Sequence, residues 1–383
     1  MKTALVHDWL TGMRGGEKCL EVFCELFPDA DLYTLVFDPH SVSPSIRRMN
    51  VKTSWIDRLP AAKKHFRYLL PSFPRAIESF ELADYDLILS SSHCVAKGVF
   101  PGGALHISYV HSPMRYVWDM HDAYFGKGAP WAARAGMALC RGYLQRWDVR
   151  SAERVHCFIA NSNHIAGKIR KIYAREAQVI YPPVDMDKFH ISAHRETFYL
   201  IVSALVPYKR IDLAIAAFNQ LKLPLKVIGE GPLRNSLEKQ AGSNIEFAGW
   251  VDDLSLAGLY ADCEALIFPG EEDFGIVPLE AQASGRPVIA YAKGGVTESV
   301  IGLDDHRRSG AKPTGIFFSE ATPMSLIEAV RRYQAIKRLF EPAALRRHAS
   351  EFSRALFKTR MEQFINAKLL EQARSVHQDA KTV

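Results

Sequence analysis

Short apolar runs recur along the chain at Thr3–His7, 32–36, 87–90, 105–110, 155–160, 199–203, 225–228, 245–247, 265–268 and 287–290. Between them, apolar residues return at helical spacing. In Glu17–Leu26 they are Cys19, Leu20, Phe23 and Leu26, continued by Phe27; in Ile211–Leu221 they are Leu213, Ile215, Ala216 and Phe218. Buried strands alternating with amphipathic helices predict parallel sheets covered by helices, an α/β fold. The pattern breaks once, at Tyr181-Pro182-Pro183-Val184-Asp185-Met186-Asp187-Lys188-Phe189 and the polar stretch that runs on to Thr197. Prolines and charges there read as an interdomain linker, with one domain over 1–187 and a second from 188 to about 351. After Pro323 the pattern is mostly helical. Two doubly wound halves would each collect ligand-binding loops at the carboxyl ends of their strands, with the ligand between them.

A length of 383 residues suits two domains with substantial cores. The cysteines, Cys19, Cys24, Cys94, Cys140, Cys157 and Cys263, form no Cys-x-x-Cys pair, so neither a zinc site nor a redox couple is indicated and buried thiols are expected. The apolar run at the N-terminus is too short for the core of a signal peptide, and no stretch is long enough to cross a bilayer. The expected location is cytoplasmic, with any membrane contact peripheral.

Net charge is +6, unevenly placed. Lys52, Arg58, Lys63, Lys64, Arg67 and Arg75 face a single acid, Asp57, and are interleaved with Trp55, Phe66, Tyr68, Leu69, Leu70 and Phe73. Such a mixture suits an anionic membrane surface, where the charges meet phosphates and the rings enter the interface. A solvated helix with an ordinary core face is the other reading. No nucleic-acid motif accompanies the patch.

The strongest candidate chemistry follows the run Ala265–Pro269. There Glu272 sits in a loop and Glu280 in Pro278-Leu279-Glu280-Ala281-Gln282-Ala283, whose proline marks a first helical turn, so Glu280 is expected near a helix N-terminus. Carboxylates so placed accept hydroxyl hydrogen bonds, although an acidic loop followed by a helix-start glutamate would look the same. Gly15 and Gly16, in Gly12-Met13-Arg14-Gly15-Gly16-Glu17, let backbone amides approach an anion or simply make a tight turn. They fit neither the dinucleotide nor the P-loop spacing. Lys209 and Arg210 place two cations where a strand turns into a helix, suited to an anionic leaving group. Gly229 and Gly231 end another strand. His111, in Tyr109-Val110-His111-Ser112-Pro113, ends a strand of the first half, as Ser162 does more weakly. Asp185 and Asp187 lack further ligands for a metal. Gly294-Gly295-Val296-Thr297-Glu298 suits an anion or a plain helix cap.

Taken together, Glu272-(x7)-Glu280, the following Gly285-Arg286-Pro287-Val288-Ile289-Ala290, the upstream Gly229-Glu230-Gly231-Pro232 and Lys209 resemble the retaining nucleotide-sugar glycosyltransferases of family 4. The resemblance spans almost the whole chain. It implies the GT-B fold: two Rossmann-like domains whose parallel sheets face each other across a deep cleft. The first domain would take the acceptor, the second the donor, and a C-terminal helix from about 352 to 383 would pack back on the first. It further implies that Glu272 binds donor sugar hydroxyls, that the backbone at Phe274, Gly275 and Ile276 lines the sugar, and that Glu280 holds the ribose. Lys209 would hold the diphosphate, Gly15 and Gly16 would lie beside it, and His111 would face the sugar. No protein nucleophile and no metal are implied.

Where many relatives carry an arginine five residues before the lysine, this chain has Ala204, and Arg210 is the available substitute. The tract Val202–Arg210 and the His111-Ser112-Pro113 element look most like bacterial mannosyltransferases of surface polysaccharide assembly. That likeness implies GDP-mannose as donor and a lipid-linked or saccharide acceptor. A non-catalytic sugar-nucleotide-binding subunit and a GT-B epimerase or phosphorylase are the alternatives.

Overall fold

The computed structural model describes residues 1–121, 125, 131–303 and 312–382, with backbone only at 132, 133 and 375–382. The chain forms two compact units, Met1–Pro182 with Ala355–Val383, and Pro183–Arg354.

In the first unit the strands are β1 (Thr3–His7), β2 (Asp31–Thr34), β3 (Asn50–Thr53), β4 (Leu87–Ser92), β5 (Leu105–Val110), β6 (Cys157–Ala160) and β7 (Ala177–Val179). They form one parallel sheet in the order β3-β2-β1-β4-β5-β6-β7. Strands β1, β4 and β5 are buried along their whole length, so they carry apolar stretches such as Ala4–Val6 and Leu87–Leu89, while His7 and Ser90–Ser92 bring buried polar side chains to the strand ends. The edge strands β3 and β7 are only half buried, and their mixed sequences gave no such run. The helix Gly15–Leu26 lays Cys19, Leu20 and Phe23 on one face of the sheet. Phe357, Met361 and Ile365, at four-residue spacing on the helix Arg354–Thr382, fill the same cluster, and the Phe357 ring stacks on Phe23 at 6.0 Å.

The basic and aromatic stretch divides by burial. It folds as a string of short helical turns between Trp55 and Glu78. Phe66, Leu70 and Phe73 are core, with Phe66 and Phe73 against Trp9, so these three side chains are not available to a membrane interface. Trp55 and Tyr68 are 41% and 79% exposed, beside exposed Arg58, Lys63, Lys64 and Arg67. Lys52 lies on β3 and is paired with Asp31 at 3.0 Å.

The second unit repeats the plan with β8 (Tyr199–Val202), β9 (Leu225–Ile228), β10 (Ile245–Gly249), β11 (Leu266–Phe268), β12 (Val288–Tyr291) and β13 (Gly315–Phe318). The order is β10-β9-β8-β11-β12-β13, again all parallel. Ile211–Leu221 and Pro323–Ile336 supply helices to its core cluster. Its entering and leaving segments run side by side: the Val184 N–H donates to the Phe352 carbonyl at 2.8 Å, and the Arg354 N–H to the Val184 carbonyl at 3.2 Å. Among the described residues, no helix is long and apolar enough to cross a membrane.

Candidate functional site

In an open parallel sheet the loops leaving two adjacent strands diverge where the strand order reverses, and the space between them takes ligands. In the second unit that point lies between β8 and β11. Lys209 closes the short turn Pro207–Lys209 after β8, and Glu272 lies in the loop after β11. Their side chains meet in an ion pair, Lys209 Nζ on Glu272 Oε1. Gly270 makes the approach possible, since a Cβ there would lie 2.8 Å from the Tyr208 carbonyl oxygen and 2.9 Å from the Lys209 Cα.

The Glu272 backbone is clamped from the other side. The Gly295 N–H donates to its carbonyl at 2.8 Å, and a Cβ on Gly294 would stand 2.3 Å from that oxygen. The second glycine turn thus serves the Glu272 loop through backbone packing, and the helix it opens, Val296–Ser299, is a single turn.

Glu280 departs from its expected place. The helix begins at Ile276, with Gly275 at φ 86° before it, so Glu280 is the fifth residue of Ile276–Ala283 rather than an N-terminal one. The left-handed glycine starts the helix ahead of Pro278. The carboxyl is buried and accepts a hydrogen bond from the Tyr260 hydroxyl at 2.8 Å. Burial, followed by the Glu280 charge and this hydrogen bond, pushes the Tyr260 phenol well above its ordinary range. Phe274 turns its ring inward against Phe352, 5.9 Å between centroids, and Gly275 beside it is buried, while Ile276 is partly exposed.

Gly229 and Gly231 lie against the strand exit that precedes Lys209. The Ser203 N–H donates to the Ile228 carbonyl at 3.0 Å and the Leu205 N–H to the Glu230 carbonyl at 2.9 Å. The intervening Ala204 is exposed. Arg210 adopts a left-handed backbone, φ 52°, and its guanidinium lies 3.2 Å from Asp212. Lys209 is therefore the cation directed at Glu272, while Arg210 is engaged at the start of the next helix.

In the first unit the order reverses between β1 and β4, and polar residues gather there. His111 follows β5 and is buried; its Nε2 lies 2.8 Å from Ser91 Oγ on β4, which lies 3.1 Å from His7 Nδ1 on β1. Burial foremost, then His93 and His7, push the His111 imidazole down to about 3, so it is neutral at physiological pH. The Asn161 side-chain amide donates to the His111 carbonyl at 3.0 Å. Gly15 and Gly16 open the Gly15–Leu26 helix, and a Cβ on Gly16 would sit 3.4 Å from His111 Nε2 and 3.6 Å from His7 Cε1. Ser162 is a helix cap, accepting from the Ile165 N–H at 3.1 Å.

The sequence reading missed His7, Asp8, Glu17, Ser91 and His93. Asp8 is fully buried and accepts the backbone N–H groups of His93, Cys94, Val95 and Ala96 at 2.5 to 3.0 Å, with His93 Nδ1 also at 3.0 Å. Burial opposes its ionisation, but His93 and His7 outweigh burial and hold the carboxyl below the usual range. Glu17 behaves likewise, with His7 outweighing its burial. The signal was His7-Asp8 at the end of one strand and Ser90-Ser91-Ser92-His93 at the end of another, informative only once β1 and β4 are known to be neighbours.

Two family models match the chain in succession: Glycosyltransferase Family 4 over residues 15–188 and Glycosyl transferases group 1 over residues 185–351. A GDP-mannose-dependent alpha-(1-6)-phosphatidylinositol dimannoside mannosyltransferase of Mycobacterium tuberculosis is 36% identical over 227 residues, covering 53% of this chain and 59% of that protein. The O-antigen chain mannosyltransferase C of Escherichia coli is 29% identical over 194 residues, 46% of this chain and 50% of that protein. The chain thus spans about half the length of the curated relatives it matches. Among solved structures, the sucrose-phosphate synthase of Thermosynechococcus elongatus superposes with a TM-score of 0.73 at 17% identity, over 97% of this chain and 100% of that one. The architecture is GT-B.

Proposed function

We propose that this chain, whose two halves carry family 4 and group 1 glycosyltransferase domains on a GT-B fold, is a retaining hexosyltransferase that uses a nucleotide-sugar donor. The observation that carries the reading is the meeting of Lys209 and Glu272 at the β8/β11 reversal, with buried Glu280 eight residues further along on the helix that follows. A cation for a diphosphate and a carboxylate for sugar hydroxyls stand side by side, as a donor with both groups requires. Lys209 stabilises the charge that develops on the departing diphosphate, and Glu272 orients the sugar as positive charge grows at its anomeric carbon. Glu280 takes the ribose hydroxyls, and the backbone from Phe274 to Ile276 borders the sugar. In the first unit, Gly15 and Gly16 open a helix whose backbone amides suit an anion, and neutral His111 can share a hydrogen bond with a sugar hydroxyl rather than present a charge.

GDP-mannose is the preferred donor, and a lipid-linked or saccharide acceptor in surface polysaccharide assembly the preferred acceptor, supported by likeness to the two mannosyltransferases. No bound metal is needed in this reading. Exposed Trp55 and Tyr68 among basic residues would hold the chain peripherally on an anionic membrane, on its cytoplasmic face. Ala204 favours one alternative, a sugar-nucleotide-binding subunit without transfer activity, because a second diphosphate cation is missing there.

Thermal-shift screening of the full chain against GDP-, UDP-, ADP- and dTDP-sugars, followed by turnover with saccharide and lipid-linked acceptors, tests the proposal. GDP-mannose should raise the melting temperature most and be consumed with retention. Undiminished turnover by Glu272→Ala would overturn the site, and binding without transfer across the acceptors would mark the alternative.

A further inference from the structure

We propose that Glu17, His7 and Ser91 form a polar relay that fixes the tautomer and orientation of His111, placing its proton on Nε2 and leaving Nδ1 unprotonated. The chemical consequence rests on the reading of His111 as a donor-facing group; the relay itself is a property of the first unit alone.

The direction of the relay follows from Glu17. Its Oε2 accepts the Arg14 N–H at 3.0 Å, which anchors the carboxylate at the start of the Gly15–Leu26 helix. Its Oε1 lies 3.9 Å from His7 Nε2, a buried nitrogen with no hydrogen-bond partner among the described residues. That distance is too long for a direct hydrogen bond but close enough for the charge to act. A proton on Nε2 turns the positive end of an N–H dipole toward the carboxylate, whereas a lone pair would face it with like sign. With one ring proton, His7 therefore carries it on Nε2 and accepts at Nδ1.

Ser91 transmits that choice. Its single hydroxyl proton goes to His7 Nδ1, 3.1 Å away, so toward His111 Nε2, 2.8 Å away, its oxygen can only accept. His111 must then donate from Nε2. The strand register holds the geometry, since His7 and Ser91 are Cα partners across β1 and β4. Gly16 borders both imidazoles, where a Cβ would be in ordinary contact with His111 Nε2 and His7 Cε1. Asp8 and His93 complete the charged surroundings, but their own contacts tie them to each other and to the backbone after β4. Glu17, His7 and Ser91 are positioning residues in this scheme, acting on substrate only through His111.

Long-range proton–nitrogen correlation spectra of the full chain labelled with ¹⁵N-histidine, recorded at pH 8 to keep ordinary imidazoles neutral, read the tautomers directly. His111, assigned by its loss in His111→Gln, should show a protonated Nε2 and an unprotonated Nδ1. Ser91→Ala and Glu17→Gln should each convert it to a mixture, while Ser91→Thr should restore the single form. In turnover assays Ser91→Ala should lower kcat by about tenfold or more, the worth of one misdirected hydrogen bond, with donor KM little changed and with recovery in Ser91→Thr. A wild-type His111 protonated on Nδ1, or a tautomer indifferent to both Ser91→Ala and Glu17→Gln, would overturn the relay. An altered tautomer with undiminished kcat would overturn its catalytic part. Should no nucleotide-sugar be turned over, the proposed function fails while the spectra still decide the relay.

Discussion

Glu272→Gln separates the two halves of the proposed donor site. Lys209 and Glu272 neutralise each other in the structure, with side chains 15% and 21% exposed. Such a pair stands between a solvent-exposed one, worth about 0.2–1 kcal/mol, and a buried one, whose disruption costs about 3–5 kcal/mol. A value of about 1–2 kcal/mol suits this intermediate exposure. A nucleoside diphosphate that recruits Lys209 must draw it away from Glu272. Glu272→Gln removes the competing charge, so GDP alone should bind about 5–30-fold tighter. A nucleotide-sugar gains the same amount but loses a hydroxyl bond to a charged acceptor, worth about 1.5–3 kcal/mol. The preference for GDP-mannose over GDP should therefore fall by about 10–150-fold. Isothermal titration calorimetry with each ligand on wild type and variant reads both quantities. If GDP binding weakens or stays the same, the diphosphate does not compete with Glu272 for Lys209. If the two ligands change in parallel, Glu272 does not touch the sugar.

Lys97 and Asp148 form a buried pair at 2.9 Å, 2% and 0% exposed, and Lys97→Met should destabilise the first unit by about 3–5 kcal/mol by leaving the carboxylate charge with only the neutral donors Trp118 and Tyr173. At about 2–4 °C per kcal/mol that lowers its melting temperature by about 6–20 °C, and adding Asp148→Asn, which removes the charge but keeps an acceptor for Trp118 and Tyr173, should restore part of it; a double variant as unstable as the single one would refute the pairing argument. Acid should also weaken the first unit. Burial pushes the His106 and His111 imidazoles down to about 3, so the unfolded chain binds their protons first, and stability falls from about pH 6.5 toward pH 3 by about 1.4 kcal/mol per unit for each. Asp8 and Glu17, held below the usual carboxyl range, add to the loss below about pH 4, where the unfolded chain protonates them first. Urea unfolding at pH 7.5 and pH 5 checks the sign, and equal stabilities would contradict it. Reversing Lys63, Lys64 and Arg67 to glutamate should weaken association with phosphatidylglycerol vesicles at least about a hundredfold, at about 1 kcal/mol per basic residue. Unchanged sedimentation with vesicles would remove the membrane proposal.

Much of the architecture was legible because a parallel strand buried on both faces is mostly apolar, as in Leu266–Phe268 and Val288–Tyr291. Helix faces were legible for the same reason, through Cys19, Leu20 and Phe23. Edge strands β3 and β7, half exposed, carry no such obligation and left no mark. In the basic stretch, composition could not tell Phe66 and Phe73 from Tyr68, because the same aromatic residue serves a core or a surface equally well.

By itself the sequence determined which residues could bind anions and hydroxyls, and that they stand at the ends of strands: Lys209 after β8, Glu272 after β11, His111 after β5. Tertiary structure alone decided which of them meet. Lys209 touches Glu272 because strand order reverses between β8 and β11, and Gly270 and Gly294 leave room for the loops to close on each other. His7 meets Ser91, 84 positions away, because β1 and β4 pair in a register that sets them side by side, and Ser91 meets His111 because β4 also pairs with β5. Periodicity reports whether a residue is buried, a property of one segment and its neighbours in sequence. Contact between distant segments depends on sheet order and register, which no single segment encodes.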